Sequence, residues 1–309
     1  MINDSNLDNI FTENDNQEAF DYKGEKRILS KVGFSYFFLL LIMFFIPSIL
    51  LSFTYNPSND LVLAYNFIGF IVGAIVLHYS SKGIPNSKNS KKHDLSLLKY
   101  IAYFVMGYGL MILGYSISGF IQGLFINNAV NPIQTFESSN MLVTFLYAIL
   151  FGPIFEEYFF RKVLIDKISR YGELFAVLVS AFMFMIYHMN FYQFIGVFLM
   201  GVVLGHVYVK TRRIEYTITL HQLANFFGLF VPMLIGTSVY AGIFNYFCIA
   251  IMFLAVILSA YLILTVKYDS GDIEIPENKT FGFFFKNASV CAFIIFGLFI
   301  GVLNLGVFA

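Results

Sequence analysis

Two adjacent carboxylates, Glu156 and Glu157, stand inside an apolar run that opens at Met141, in the stretch Gly152-Pro153-Ile154-Phe155-Glu156-Glu157-Tyr158-Phe159-Phe160-Arg161. A charged side chain at the centre of a bilayer costs about 2.5–3.5 kcal/mol or more, so an ionisable pair within a spanning segment marks a functional site by default. At about 100° per helical residue, Arg161 lies about 40° around the helix from Glu157 and about 140° from Glu156. A Glu four residues before an Arg is also the favourable order for an ion pair. Glu157 is thereby neutralised, and Glu156 is left over as the carboxylate that can serve as a general base. Two histidines are also interior: His188, one turn after Phe184, and His221, one turn before Asn225. Each could be glue between helices, because a polar group within a membrane must find a partner. Glu156, Glu157, Arg161, His188, His221 and Asn225 on three separate spans are harder to assign to glue, and their types are those of acid–base and oxyanion chemistry. His78, His93 and His206 read as solvated or interfacial rings.

The elements that must position these residues are membrane helices. Of 309 residues 58% are hydrophobic and only 12% charged, with mean hydropathy +0.74 and no net charge; soluble domains carry about 25% charged residues. The fold class is therefore all-α, a polytopic transmembrane helix bundle. Runs near the roughly 20 residues needed to cross a bilayer occur at Gly33–Phe53, Leu61–Ser80, Tyr100–Phe125, Met141–Lys167, Glu173–Tyr192, Gln193–Val209, Thr217–Ile235, Ile243–Val266 and Ala288–Phe308. These predict nine spans, or eight if a weak boundary near Asn190 or Gly236 hides a re-entrant piece. Residues 1–32 read as a polar cytoplasmic tail without a signal peptide, and 33–309 as the transmembrane domain. Lys and Arg fall before the first span and after the second, fourth, sixth and eighth, so the cytoplasmic-side preference of basic loops places the N-terminus inside and the C-terminus outside. Segment Lys91–Lys99 reads either as a short surface helix or as a solvated loop. Cys248 and Cys291 both lie in apolar runs, so no disulfide or zinc cluster is read from them. At 1.5 Å per residue, Glu156, His188 and His221 fall about 16, 24 and 12 Å from the basic side, a spread that requires a tilted or displaced fifth span.

Glu156-Glu157-x-x-x-Arg161, Phe184-x-x-x-His188 and His221-x-x-x-Asn225, in that order on membrane spans, resemble the three motifs of the CPBP (Abi) superfamily. That superfamily includes type II CAAX prenyl endopeptidases and lysostaphin-resistance-A-like proteins. Gly201-Val202-Val203-Leu204-Gly205 and Thr211 look like the segment that precedes the family's last histidine. The resemblance covers residues 141–232. It implies an intramembrane endopeptidase, in which Glu156 activates a water held with His188, His221 and Asn225 stabilise the oxyanion, and Glu157 and Arg161 support them. Glu156, His188 and His221 would also suffice as ligands of a catalytic Zn²⁺, and the family is often labelled metalloprotease. A metal-free glutamate mechanism is favoured, because no His-Glu-x-x-His helix is present. The expected partners are a membrane-embedded or membrane-associated protein or peptide substrate and the bilayer, with no nucleic acid. The location implied is a bacterial cell membrane, from the Lys/Asn/Ile/Phe-rich composition. Competing functions are a non-catalytic bacteriocin-immunity or sensor partner, and a proton-coupled transporter.

Overall fold

The structure is a computed structural model and describes residues 21–88, 91–125, 136, 138–273 and 277–305. All regular structure among these is helical: α1 Tyr22–Ser52, α2 Asn59–Ser80, α3 Leu97–Phe125, α4 Met141–Tyr171, α5 Glu173–Tyr187, α6 Phe194–Thr211, α7 Ile214–Ile235, α8 Val239–Thr265, α9 Glu277–Phe285 and α10 Ala288–Leu303. The all-α bundle expected from composition is thus the observed architecture. Seven of these helices are long and apolar enough to cross a membrane, and α9 with α10, bent by 66° at their junction, makes an eighth. The fifth run forms a helix of only 15 residues, α5, about 22 Å long against a hydrocarbon core of about 30 Å. By length, then, the count is eight, the lower of the two read from the sequence, and the short piece lies at the weak boundary near Asn190.

The antiparallel connectivity is nevertheless that of nine passes, because polar contacts gather the loops at two opposite ends. At one end Glu25 accepts from Arg170 at 2.9 Å and from the Tyr171 hydroxyl, Lys167 donates to the Ile84 carbonyl, and Asp272 accepts from the Lys88 amide. Lys210 pairs there with Glu173 and Arg213 with Asp94. These contacts join the start of α1, the α2–α3 loop, the end of α4, the start of α5, the end of α6 and the α8–α9 loop. At the other end Asn59 donates to Ser138, the Asn140 amide to Asp60, and Asn304 to the Met189 carbonyl. Short as it is, α5 runs from one end of the bundle to the other.

Burial is graded across the bundle. Helix α5 is almost wholly buried, and its Phe184 and Val177 belong to the main core with Phe159, Phe160 and Leu164 of α4. Helix α8 leaves Ile243, Phe253, Ile257, Ile263 and Leu264 exposed, as a helix facing lipid does. The α1 and α10 helices close on each other: Ser289 Oγ donates to the Ser30 carbonyl across 259 residues of sequence, and Asn287 to the Lys26 carbonyl. At Gly33 a Cβ would lie 2.2 Å from Ser289 Oγ, so only glycine lets the two backbones approach.

Two boundaries differ from the sequence reading, and one choice that it left open is decided. Helix α1 begins at Tyr22, within the segment read as tail, because Asp21 caps it by accepting from the Gly24 amide; residues 1–20 of that segment lie outside the described residues. Residues 91–96 take the second of the two readings, a loop running into α3, and are tied down by the His93 amide on the Thr211 carbonyl and the Leu95 amide on the Tyr216 hydroxyl. Helix α9 occupies part of what read as a loop, and it buries Thr280 and Phe284. Most of the loop 126–140 and residues 306–309 of the final run lie outside the described residues.

Candidate functional site

Helix α4 is not a uniform helix, and its irregularity aims the carboxylates. Phe145–Phe151 is π-helical, Gly152–Glu157 is α-helical, and Tyr158–Ile165 is π-helical again. The Gly152 amide donates to the Tyr147 carbonyl five residues back. The next donor in that register would be residue 153, but proline has no N–H, so the Ala148 carbonyl is left without a backbone partner. Asn225 Nδ2 supplies one at 2.9 Å, and Gln222 Nε2 donates to the nearby Leu150 carbonyl at 3.1 Å. In the second π segment the Tyr36 hydroxyl donates to the Phe159 carbonyl and Ser180 Oγ to the Phe160 carbonyl. Four side chains from three other helices, α1, α5 and α7, thus satisfy the backbone groups that a π turn frees.

On this helix Glu157 Oε2 and Arg161 Nε form an ion pair at 3.2 Å, both side chains fully buried. Arg161 is held further by the Gly201 carbonyl at 3.4 Å and by the Phe184 ring, 4.5 Å from its guanidinium carbon. Gly201 can lie this close because a Cβ there would meet the Ala181 Cα of α5 at 3.1 Å. Glu157 has a second partner: its Oε1 lies 2.9 Å from His221 Nδ1. Glu156 Oε2 lies 3.6 Å from His221 Nε2, so the imidazole stands between the two carboxylates and is hydrogen-bonded to Glu157 alone. Because a carboxylate only accepts, His221 Nδ1 carries the hydrogen, and in the neutral ring Nε2 is a lone pair turned toward Glu156. The same logic applies to His188, whose Nδ1 donates to the Phe184 carbonyl at 2.8 Å and leaves Nε2 as the acceptor. Both imidazoles pack edge-on to the Phe184 ring, at 4.6 Å for His188 and 5.8 Å for His221.

These groups face one cavity of about 410 Å³, lined by Glu156, His188, His221 and Asn225 among others, a volume within the range of small-ligand sites. Asn66, Asn190, Gln193 and Asn304 add amides to its wall, and Tyr187 lines it with a hydroxyl that has no hydrogen-bond partner among the described residues. The fully buried Glu157 and Arg161 stand behind the wall. All six residues singled out from the sequence are therefore brought together: four on the cavity and two supporting them. The donor set does not converge as three metal ligands. Among the described residues no three His, Cys, Asp or Glu side chains come close enough to hold one ion; Glu156 and His221 approach each other, and the third candidate, His188, does not complete the set.

Sequence reasoning missed the bond between Glu157 and His221, having assigned Glu157 to Arg161 alone. It also missed Gln222. The signal for Gln222 was present: Gln222 and Asn225, three residues apart, share a face of an otherwise apolar span.

Residues 138–227 match the family model for Rce1-like type II CAAX prenyl endopeptidases. The chain is similar to the membrane-embedded CAAX protease MroQ of Staphylococcus aureus (strain USA300), 35% identical over 99 residues that make up 28% of this chain and 37% of the relative. It therefore spans well under two thirds of that protein's length. It is also similar to YdiL of Bacillus subtilis (strain 168), 24% identical over 191 residues, 58% of this chain and 77% of the relative. No solved structure matches the chain at a significant level. The family match coincides with the helices that present Glu156, His188, His221 and Asn225 to the cavity, α4 to the middle of α7, and over these residues the multi-pass membrane protein is similar to the Rce1-like type II CAAX prenyl endopeptidases.

Proposed function

We propose that the chain is an intramembrane endopeptidase in which Glu156 is the general base. The observation that supports it is the contact of Glu156 with His221 at 3.6 Å, inside a cavity that also presents His188 and Asn225. A water donating to Glu156 and to the free Nε2 of His188 is oriented by two acceptors. Glu156 takes its proton as the oxygen adds to the scissile carbonyl, and returns that proton to the departing amine when the C–N bond breaks. Asn225, with one amide hydrogen engaged by Ala148, has the other to offer the developing oxyanion. Glu157 fixes the tautomer of His221, and Arg161 balances the charge of Glu157. The substrate class is a protein or peptide segment in or at the membrane.

The test is cleavage of a pool of internally quenched apolar peptides by the purified protein in detergent. Activity is expected to survive a strong chelator, and Asn225→Ala to lower kcat by about 10²–10³, the usual loss for one oxyanion donor. Loss with chelator and recovery with Zn²⁺ would overturn the metal-free mechanism, and absence of any cleavage would overturn the peptidase reading.

The orientation proposed is N-terminus cytoplasmic, supported by the gathering of the basic loops at one end of the bundle. Reporter fusions after Asn89, Arg213 and Asn278 should read inside, and those after Asn59, Asn131 and Ala309 outside. An inside signal at Ala309 would exclude the odd number of passes.

A further inference from the structure

Gln222 lies between His221 and Asn225 in sequence, and its side chain reaches the same π turn of α4 as that of Asn225. The two amides attach to Leu150 and Ala148, within about a turn of Gly152-Pro153 and ahead of Glu156. A single hydrogen bond between two helices leaves both rotation and sliding free. Two bonds to carbonyls two residues apart remove most of that freedom, and the His221–Glu157 bond adds a third point farther along α4. The origin of the arrangement is Pro153: without its N–H the Ala148 carbonyl cannot be satisfied within α4 and stays available to α7. Were that turn to close into an ordinary α-helix, one residue of register would be lost and Glu156 would rotate by about 100° relative to the residues before the turn.

We infer that Gln222 is a positioning residue, which together with Pro153 and Asn225 fixes α7 on α4 so that His221 sits between Glu156 and Glu157. Its catalytic consequence rests on the peptidase reading; its structural consequence does not. Gln222→Met keeps the length of the side chain and removes the donor. Pro153→Ala gives residue 153 an N–H, which competes with the amides for α4's own carbonyls.

Both variants are read by three measurements on the full-length protein in detergent: thermal melting, the Nδ1–H resonance of His221 in ¹⁵N-histidine-labelled protein, assigned by its disappearance in His221→Asn, and kinetics on the best-cleaved quenched peptide. In both variants the His221 resonance should shift, and kcat should fall by about 10–10²-fold at unchanged KM, the scale of a small misplacement of a reacting group. Pro153→Ala should melt no lower than the parent, since proline disfavours a helix interior. A gain or parity in stability joined to a loss in kcat is not what a merely structural role produces. An unchanged His221 resonance in both variants would overturn the inference, as would a loss of activity that only tracks the loss of folded protein. If the parent cleaves no peptide, the peptidase reading falls alone, and the His221 resonance still decides whether Gln222 positions that ring.

Discussion

Glu156→Gln protein is expected to fold, to bind peptide and to leave it uncut. The substitution keeps the size of the side chain and removes only its capacity to accept a proton from water, a role worth about 10²–10⁴ in rate for a positioned base. Folding should be spared because Glu156 is not the carboxylate that holds the structure together. The ionisable side chain it approaches is the neutral imidazole of His221 at 3.6 Å, whereas Glu157 carries the Arg161 pair and the 2.9 Å bond to His221. Peptide affinity, measured by fluorescence anisotropy of a labelled peptide, should stay within a small factor of the parent, since a base acts on the water and not on the bound chain. Retention of the full biological effect by this variant would remove proteolysis as the way the protein acts.

Arg161→Ala should do the opposite and lose folded protein before activity can be asked about. Arg161 is among the largest fully buried side chains in the molecule, and removing it leaves the Glu157 carboxylate uncompensated inside the bundle. Breaking a buried pair in this way costs about 3–5 kcal/mol. The control lies one residue along: Lys162 pairs with Asp166 at 2.8 Å, but its side chain is half exposed, and Lys162→Ala should cost about 1 kcal/mol or less. Melting of the two variants in one detergent gives the comparison. Equal melting temperatures would mean that the Glu157–Arg161 pair does not carry the structural charge balance assigned to it.

What could be read in advance follows the range of the interactions. The Glu157–Arg161 pair is local, and helical spacing suffices to find it, even though Tyr158–Ile165 turns out π-helical. The sidedness of the basic loops is a property of composition along the chain, and the contacts among those loops agree with it. The approach of Glu156 to His221 and the sharing of Phe184 by His188 and His221 are non-local. Only the order of the three motifs pointed to them, and depth arithmetic argued against them. That arithmetic asked for a tilted or displaced fifth span, and the contact of both imidazoles with the one Phe184 ring shows that the two histidines do come together. The shared face of Gln222 and Asn225 was legible, but the bonds of their amides to α4 carbonyls were not, since the need for them arises from a backbone register that Pro153 creates about seventy residues away.

The closure of α1 against α10 bears on the order in which the protein matures. Helices α4 to α7, which supply every proposed reacting group, follow one another in the chain, and α10 is synthesised after all of them. The face of α1 around Ser30 and Gly33 must wait for Ser289, a contact with a high loop-closure cost. A chain still on the ribosome, with α7 already inserted, therefore holds a full set of acid, base and amide side chains in a bundle whose outer brace does not yet exist.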